Sequence, residues 1–520
     1  MQGLPFFLPF RIHPQHSFIR IGLMDKVTEF LKISSQFRLG HLTTEAPHHL
    51  TQEMSHLAQN DLASALHVLH QVDLLALTVL ERALPALWEL HQKVATTFKR
   101  GNDVLLVGCG ATGRLSLVIE TLALQEKRYP GRVRAFMAGG DYALVKSVES
   151  FEDRTHYGAR QLHDLGFKDG DLLLAITEGG ETPFVIGACN EAARVGKESP
   201  WFLYCNPDMA LEGLDRCREV LNNPHVKKLN LTCGPMAITG STRMQASTVQ
   251  MAAAGLAILH DWPTKQALGD FVARWRESYS QLDLTGLIPF IETEAATHAA
   301  KGTTTYSSEA ALAVSILTDT TERSPTFSQP AFENIQEAGA PSPIYLSVVG
   351  SKTSPQAWEH LLGRAPRCLE WEELNGRINM SVLAGFDISE AAIERRGGDV
   401  VEFKLKNGCV SWQRAGFSWS QPLLDMSALT THLQLKMALN MLSTLMMGRR
   451  GFYLDNVMSW VRPSNNKLID RASRYVQLLA GRRGTLLNYE ETVRLVMEEM
   501  DKELEGPVVL RVLAGLGIKL

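Results

Sequence analysis

The chain has little cysteine and no pattern in it. Seven cysteines stand at 109, 189, 205, 217, 233, 368 and 409, and no two form a CxxC pair. That spacing argues against zinc and against a disulfide framework. Most of the seven lie in apolar stretches, as buried thiols of a reducing cytosol do. An excess of charge of one sign is also missing. A net charge of −4 gives no electrostatic reason for a nucleic-acid partner. No apolar run is long enough to cross a membrane. Leu4 to Phe10 is too short and too proline-broken for a signal peptide, so a cytoplasmic location is expected. No low-complexity linker divides the chain. With 45% hydrophobic and 21% charged residues, the composition is that of an ordinary soluble globular protein. Its length predicts roughly two to four structural units.

What is present begins with Val104-Leu105-Leu106-Val107, a short apolar run that reads as a buried strand. It breaks into a turn with glycines at 108, 110 and 113, and an amphipathic stretch from Leu115 to Leu124 follows as a helix. Strand, glycine turn and helix N-terminus gather free backbone N–H groups and the positive end of a helix dipole at Gly110, Ala111 and Thr112. That point suits an anion, most often a phosphate. The Thr112 hydroxyl offers one more donor. A tight βα turn with no ligand reads the same way. The glycines also satisfy the dinucleotide fingerprint. The next strand, Val133 to Met137, however, ends in Ala138-Gly139-Gly140 and not in an acid to hold a ribose. No nicotinamide is expected.

Residues 42–100 read as helical, with apolar residues at three- and four-residue spacing from Leu62 to Phe98. An alternation follows, with strands at 104–108, 132–138, 171–177, 201–205 and 227–233 and helices including 115–126, 158–165 and 183–195. This is the pattern of a parallel sheet covered on both faces. After a helical stretch at 264–300 comes a second, more polar alternation, with strands expected at 302–307, 343–349, 366–371, 380–384 and 399–405. Helices close the chain. The expected division is 1–41 as an N-terminal extension, 42–100 as helices, 101–260 as a first α/β unit, 261–432 as a second and 433–520 as a helical end.

Two more loops fall at the carboxyl ends of first-unit strands, where open α/β sheets bind ligands. One is Thr177-Glu178-Gly179-Gly180-Glu181-Thr182. The other is Thr239-Gly240-Ser241-Thr242, and both read as opening helices. Three such turns are a far more specific sign of a phosphorylated small molecule than one. Glu178 and Glu181 would repel a phosphate unless they point away.

These loops resemble those of the sugar isomerase (SIS) family, more narrowly the N-acetylmuramic acid 6-phosphate etherases and the glucokinase regulatory protein. The matching pieces run in family order. They are Leu42-Thr43-Thr44-Glu45, Gly108 to Arg114, Ala138-Gly139-Gly140, Ser147 to Asp153, Thr182 to Gly187, Cys205-Asn206-Pro207, Thr239 to Met244, Leu439 to Thr444, Asn456-x-Met458 and Ser464 to Leu468. The resemblance implies two tandem SIS-type units with parallel sheets flanked by helices, plus N-terminal helices and a C-terminal helical lid. The second, degenerate unit would act as an internal dimer partner.

The etherases use two glutamates. Glu152 matches one of them. The other belongs to a pattern Asp-x-x-Glu-x-x-x-Thr-Phe/Tyr on the helix after the glycine turn. The first unit has Leu122 there, with Glu120 two residues away. The second unit carries the pattern as Asp319 to Phe327, with Glu322 in the glutamate's place, but reads Ser307-Ser308-Glu309-Ala310-Ala311 where the glycines should be. The resemblance therefore implies one composite site. Glu322 and Glu152 would be catalytic; Gly110, Ala111, Thr112, Gly179, Gly180, Glu181, Thr182, Ser241, Thr242 and Lys467 would bind a phosphorylated amino sugar. No metal or organic cofactor is implied. Met236, Gln245, Gly179 and Glu181 depart from the etherase pattern of glutamate, lysine, serine and arginine. Two activities follow from the resemblance. One is a lyase that splits the lactyl ether of N-acetylmuramic acid 6-phosphate. The other is a non-catalytic sugar-phosphate sensor that binds a protein partner such as a sugar kinase.

Overall fold

A computed structural model describes residues 23–519 apart from 149, 338, 424–426, 503 and 505; the extension before residue 23 lies outside the described residues. Five parallel strands form the first sheet: β1 (Val104–Gly108), β2 (Val133–Met137), β3 (Leu172–Ile176), β4 (Trp201–Tyr204) and β5 (Lys227–Asn230), in the order β2-β1-β3-β4-β5. Every residue of β1 and β3 is buried, which is why both are continuous apolar runs without alternation. Val104 pairs with Val133 on one side and with Leu172 on the other. The chain therefore leaves β1 toward one edge and β3 toward the other. Their carboxyl ends flank the topological switch point, where sheets of this order hold ligands.

The second sheet holds β6 (Thr304–Ser308), β7 (Ile344–Val348), β8 (Asp399–Lys406), β9 (Cys409–Arg414) and β10 (Phe417–Pro422), ordered β10-β9-β8-β6-β7. β7, β6 and β8 are parallel, whereas β8, β9 and β10 form an antiparallel meander. The sequence reading did not foresee β9 and β10, although Asn407-Gly408 was a signal. Both residues have positive φ (50° and 71°), as an Asn-Gly hairpin turn requires.

Two expected strands are not formed. Residues 366–371 are irregular, and their backbone and side chains bond to the first unit instead. Residues 380–384 are a short helix, Met380–Ala384, whose N-cap Asn379 accepts from Val382 N. The membrane expectation also needs a correction. Helix Leu62–Arg82 is long and apolar enough to cross a bilayer. Its apolar face, with Leu66, Leu69, Leu77 and Leu80, is instead buried in protein together with His70 and Asp73.

Contacts divide the described chain into two compact bodies. Leu39–Val461 contains both sheets and the helix Ala428–Arg449. The other body joins the segment up to Arg38 with Arg462–Leu520. It is helical, with Val27, Phe30, Val493 and Met497 as a small core. The expected helical end 433–520 is thus shared between them.

Candidate functional site

The glycine turn is built for close approach. A Cβ on Gly108 would collide with the Thr112 backbone, and one on Gly113 with the Met137 side chain. Glycine at both lets the helix Ala111–Gln125 start directly against β1 and β2. Gly110 has φ +58° and ψ −124°, a conformation that glycine adopts freely. A Cβ built there meets nothing within 4 Å, so the mouth of the turn is open. Thr112 is buried, and its hydroxyl accepts from Cys109 N at 2.9 Å and donates to Cys109 O at 3.0 Å. The one proton of that hydroxyl holds the turn and is not directed to a ligand.

The second loop follows β3. Thr177 and Thr182 share a hydrogen bond at 3.0 Å. Glu181 is buried and engaged by Arg216, whose Nη2 donates to Oε2 at 2.7 Å and whose Nε donates to the Glu181 carbonyl at 2.8 Å. Its charge is therefore balanced within the protein. Asn206 receives Thr43 Oγ1 and Thr44 N on its carbonyl oxygen, and donates its amide to Gly179 O at 2.9 Å. The Leu42–Glu45 and Cys205–Pro207 motifs thus brace this loop.

The third loop is held the same way. Thr239 N donates to Asn456 O at 2.8 Å, and Asn456 Nδ2 donates to His48 O and Thr51 Oγ1. Its helix begins only at Gln245. Ser241 and Thr242 therefore precede the helix and do not open it. Gln245, where the etherase pattern has lysine, donates Nε2 to buried Asp73 at 2.6 Å. Burial raises the Asp73 carboxyl to about 6. Met236, where that pattern has glutamate, is fully buried.

Glu152 is half-buried, and its carbonyl accepts from Phe184 N at 3.0 Å. That bond ties its segment to the first turn of the helix after the second loop. The second unit holds the same segment from outside. Trp371 stacks on Phe151 with 5.9 Å between centroids, meets Tyr157 edge-on and donates Nε1 to Asp164 at 2.7 Å. Just before it, Arg364 and Arg367 clamp buried Glu120 and Arg364 also pairs with Asp141. Glu120, two residues before Leu122, is a structural anchor.

Glu322 lies on the helix Ala310–Phe327, which packs against Ala111–Gln125. Arg114 Nη1 donates to its Oε1 at 2.8 Å, and both side chains are buried. Arg114 also donates to Thr321 Oγ1 at 3.2 Å and to Ala143 O at 3.1 Å. One helical turn earlier, Asp319 binds Arg243 at 2.9 Å, Asn440 at 3.0 Å and Ser443 at 2.8 Å. A small cavity of about 10 Å³ lies between these helices, lined by Ala111, Arg243, Glu322, Lys436 and Asn440 among others. It has room for one water molecule and none for a sugar ring.

The structure thus puts Ala111 and Glu322 on the wall of one small cavity and ties Glu152 to the first turn of the helix that follows the 177–182 loop. Lys467 is the second residue of the helix Asn466–Arg482 in the smaller body, where Asn465 caps the helix by accepting from Leu468 N. The sequence reading missed the buried polar network. Arg114, Arg243 and Asn440 stood inside matched motifs, but Lys436 carried no signal beyond its place in a helical stretch. The second unit's own turn has no glycine: Glu309 stands at the N-cap position of its helix without a side-chain cap bond, and its carboxylate accepts from Leu405 N at 3.4 Å.

Residues 86–193 match the glucokinase regulatory protein N-terminal SIS domain. Among curated relatives, an N-acetylmuramic acid 6-phosphate etherase of Aliivibrio fischeri is 32% identical over 188 residues, 36% of this chain and 58% of that one. The Aliivibrio salmonicida etherase is 31% identical over 40% of this chain and 65% of its own length. This chain thus spans less than two thirds of either. The Lactococcus lactis subsp. lactis etherase is 31% identical over 41% of this chain and 67% of its own length. Among solved structures, the C-terminal domain of glucosamine-fructose-6-phosphate aminotransferase from Francisella tularensis aligns with 84% of this chain at 10% identity and a TM-score of 0.35. Identity to the Lactococcus enzyme over two thirds of its length, together with the loops described above, places the protein: it belongs to the SIS-domain family of the N-acetylmuramic acid 6-phosphate etherases and the glucokinase regulatory protein.

Proposed function

We propose that this chain is a cytoplasmic sugar-phosphate lyase with one composite site, which splits the lactyl ether of N-acetylmuramic acid 6-phosphate. The phosphate sits on the backbone donors of Gly110, Ala111, Gly179 and Gly180, with Thr182, Ser241 and Thr242 around it. Thr112 and Glu181 shape the loops from behind. The observation that carries the reading is the 2.8 Å contact between Arg114 of the glycine-turn helix and Glu322 of the second unit. It supports a site in which one unit supplies the phosphate loops and the other supplies the acid that the first unit lacks at Leu122. The two sheets then act as an internal pseudo-dimer.

In the reaction, a base removes the proton from the carbon next to the open-chain aldehyde. The ether bond to lactate breaks as an acid protonates its oxygen, and water then adds to the unsaturated carbon. Glu152 and Glu322 share the roles of base and acid, and no metal or organic cofactor enters. Incubation with N-acetylmuramic acid 6-phosphate should release lactate, and Glu322→Gln should abolish release while ligand binding stays within about tenfold. Full activity in that variant overturns the composite site.

The Glu181–Arg216 pair and buried Met236, both at positions that depart from the etherase pattern, favour a second reading. In it the same site senses a sugar phosphate and a protein partner such as a sugar kinase reads the result. Ligand binding without lactate release selects it.

A further inference from the structure

Lys436 projects from the helix Ala428–Arg449 and is 5% exposed. Its amine donates to Arg243 O at 2.8 Å, Met244 O at 3.3 Å, Thr248 Oγ1 at 2.8 Å and Asn440 Oδ1 at 2.9 Å. An ammonium has three N–H donors, so all three are used and one is shared. Three of the four acceptors belong to the few residues that follow the 239–242 loop. Lys436 also lines the small cavity beside Glu322.

We propose that Lys436 is a positioning residue: its ammonium pins the backbone at Arg243 and Met244, and so fixes the 239–242 loop in the geometry that receives a sugar phosphate. The proposal rests on the sugar-phosphate reading above. A lysine is an expensive way to brace a loop, because burying an ammonium is unfavourable without partners. Here the partners are charged as well as polar. Asp73 faces it from the helix Leu62–Arg82, Asp319 and Glu322 from Ala310–Phe327, and Arg243 opposes it from the loop. On its own helix, His432 stands one turn back and is kept neutral at pH 7, its pKa pushed down to about 4 by burial.

The brace carries its own signature. Burial lowers the Lys436 amine to about 8, with Asp73 as the main opposing influence. Below that pH the ammonium keeps all its donors. Above it, the neutral amine has two N–H groups and turns a lone pair toward carbonyl oxygens. A sugar phosphate is fully ionised across this window, since its second pKa is about 6. Any loss between pH 7 and 9 therefore belongs to the protein.

The test reads the loop first and the ligand second. Hydrogen exchange of residues 239–248 is followed from pH 6.5 to 9.5, corrected for intrinsic rates against the β1 amides. Protection should fall about tenfold between pH 7 and 9, as a group titrating near 8 loses its proton. Lys436→Met should show the low value throughout, and Lys436→Arg, which stays charged, should hold the high value. Should either variant fail to fold, the wild-type series decides alone: protection that is flat with pH overturns the brace. N-acetylmuramic acid 6-phosphate is then titrated at pH 7 and 9, with about tenfold weaker binding expected at pH 9. Equal affinity at both, despite a loosened loop, overturns the positioning role. pH-dependent protection with no binding at either pH supports the brace and overturns the sugar-phosphate reading instead.

Discussion

Arg114 of the glycine-turn helix and Glu322 of the second unit meet at 2.8 Å, with side-chain exposures of 2% and 7%. Neither helix supplies both charges, so the contact ties the two units, as the buried pair of Arg243 and Asp319 also does. Removing one member leaves the other charge buried and alone, which costs about 3–5 kcal/mol, whereas replacing both by apolar groups of similar size is often neutral. Arg114→Met should therefore destabilise the fold by about that amount, and Arg114→Met with Glu322→Leu should recover most of it. Urea unfolding of the two single variants and the double variant measures the coupling. Additive losses would mean that the pair contributes nothing jointly.

Thr112 is the residue on which the structure changes the expectation most. Its hydroxyl donates to Cys109 O and accepts from Cys109 N, so Thr112→Val removes a brace of the turn and no ligand donor. The loss should appear in the free protein, as about 1 kcal/mol of stability, and in sugar-phosphate affinity only through a loosened turn. Thr112→Ser keeps the hydroxyl and should restore both. Melting temperature and calorimetric affinity are compared across the three proteins. A Val variant of unchanged stability but much weaker binding would return Thr112 to the ligand.

His432 links the helix Ala428–Arg449 to Ala310–Phe327 and gives the fold an acid limit. Its Nδ1 lies 2.8 Å from Ser315 Oγ, and burial lowers its pKa from the usual 6.5 to about 4. The unfolded chain takes up a proton below about 6.5, while the folded chain refuses it until about 4. Stability is complete above the unfolded value and is lost as pH falls between the two, by up to about 3 kcal/mol on the linkage relation. His48 and His298 are lowered to about 4 as well, so the loss is steep. His432→Asn keeps a polar side chain and removes one titration. Urea midpoints between pH 7 and 4.5 should fall less in the variant, and identical slopes would exclude His432 from the acid response.

The first sheet was legible because burial on both faces leaves an unbroken apolar run, as in β1 and β3. The three loops were legible because their glycines and hydroxyls sit at strand ends. The second sheet was harder. Its strands are more polar, and residues 366–371 resemble a strand locally while their bonds go to Asp141, Glu120 and Asp164 in the other unit. Contacts formed across more than two hundred residues leave no periodicity in the sequence. The same holds for Lys436, most of whose acceptors are two backbone carbonyls and one hydroxyl in the distant segment 243–248. Arg114 stood in full view at the end of the glycine motif, but its partner Glu322 lies 208 positions away.

Each chain should bind one sugar phosphate, although the fold repeats. A second site, related by the repeat, would need the turn after β6 and an acid at Leu122. The β6 turn has no glycine to let backbone N–H groups approach an anion. Glu309 occupies the N-cap position and its carboxylate receives Leu405 N, so a phosphate there would have a carboxylate-bearing residue as its neighbour in place of a glycine. Leu122 is fully buried and cannot transfer a proton, and its neighbour Glu120 is consumed by Arg364 and Arg367. Both halves of the second site are therefore closed, while the first retains the open mouth at Gly110 and the carboxylate of Glu322. Titration calorimetry with N-acetylmuramic acid 6-phosphate, on a Glu322→Gln chain to prevent turnover, should give a stoichiometry near one. Glu309→Gln removes the carboxylate charge but adds no glycine, so it should not raise that number. A value of two in the parent chain would mean that the second unit binds through other loops, and the asymmetric composite site would have to be abandoned.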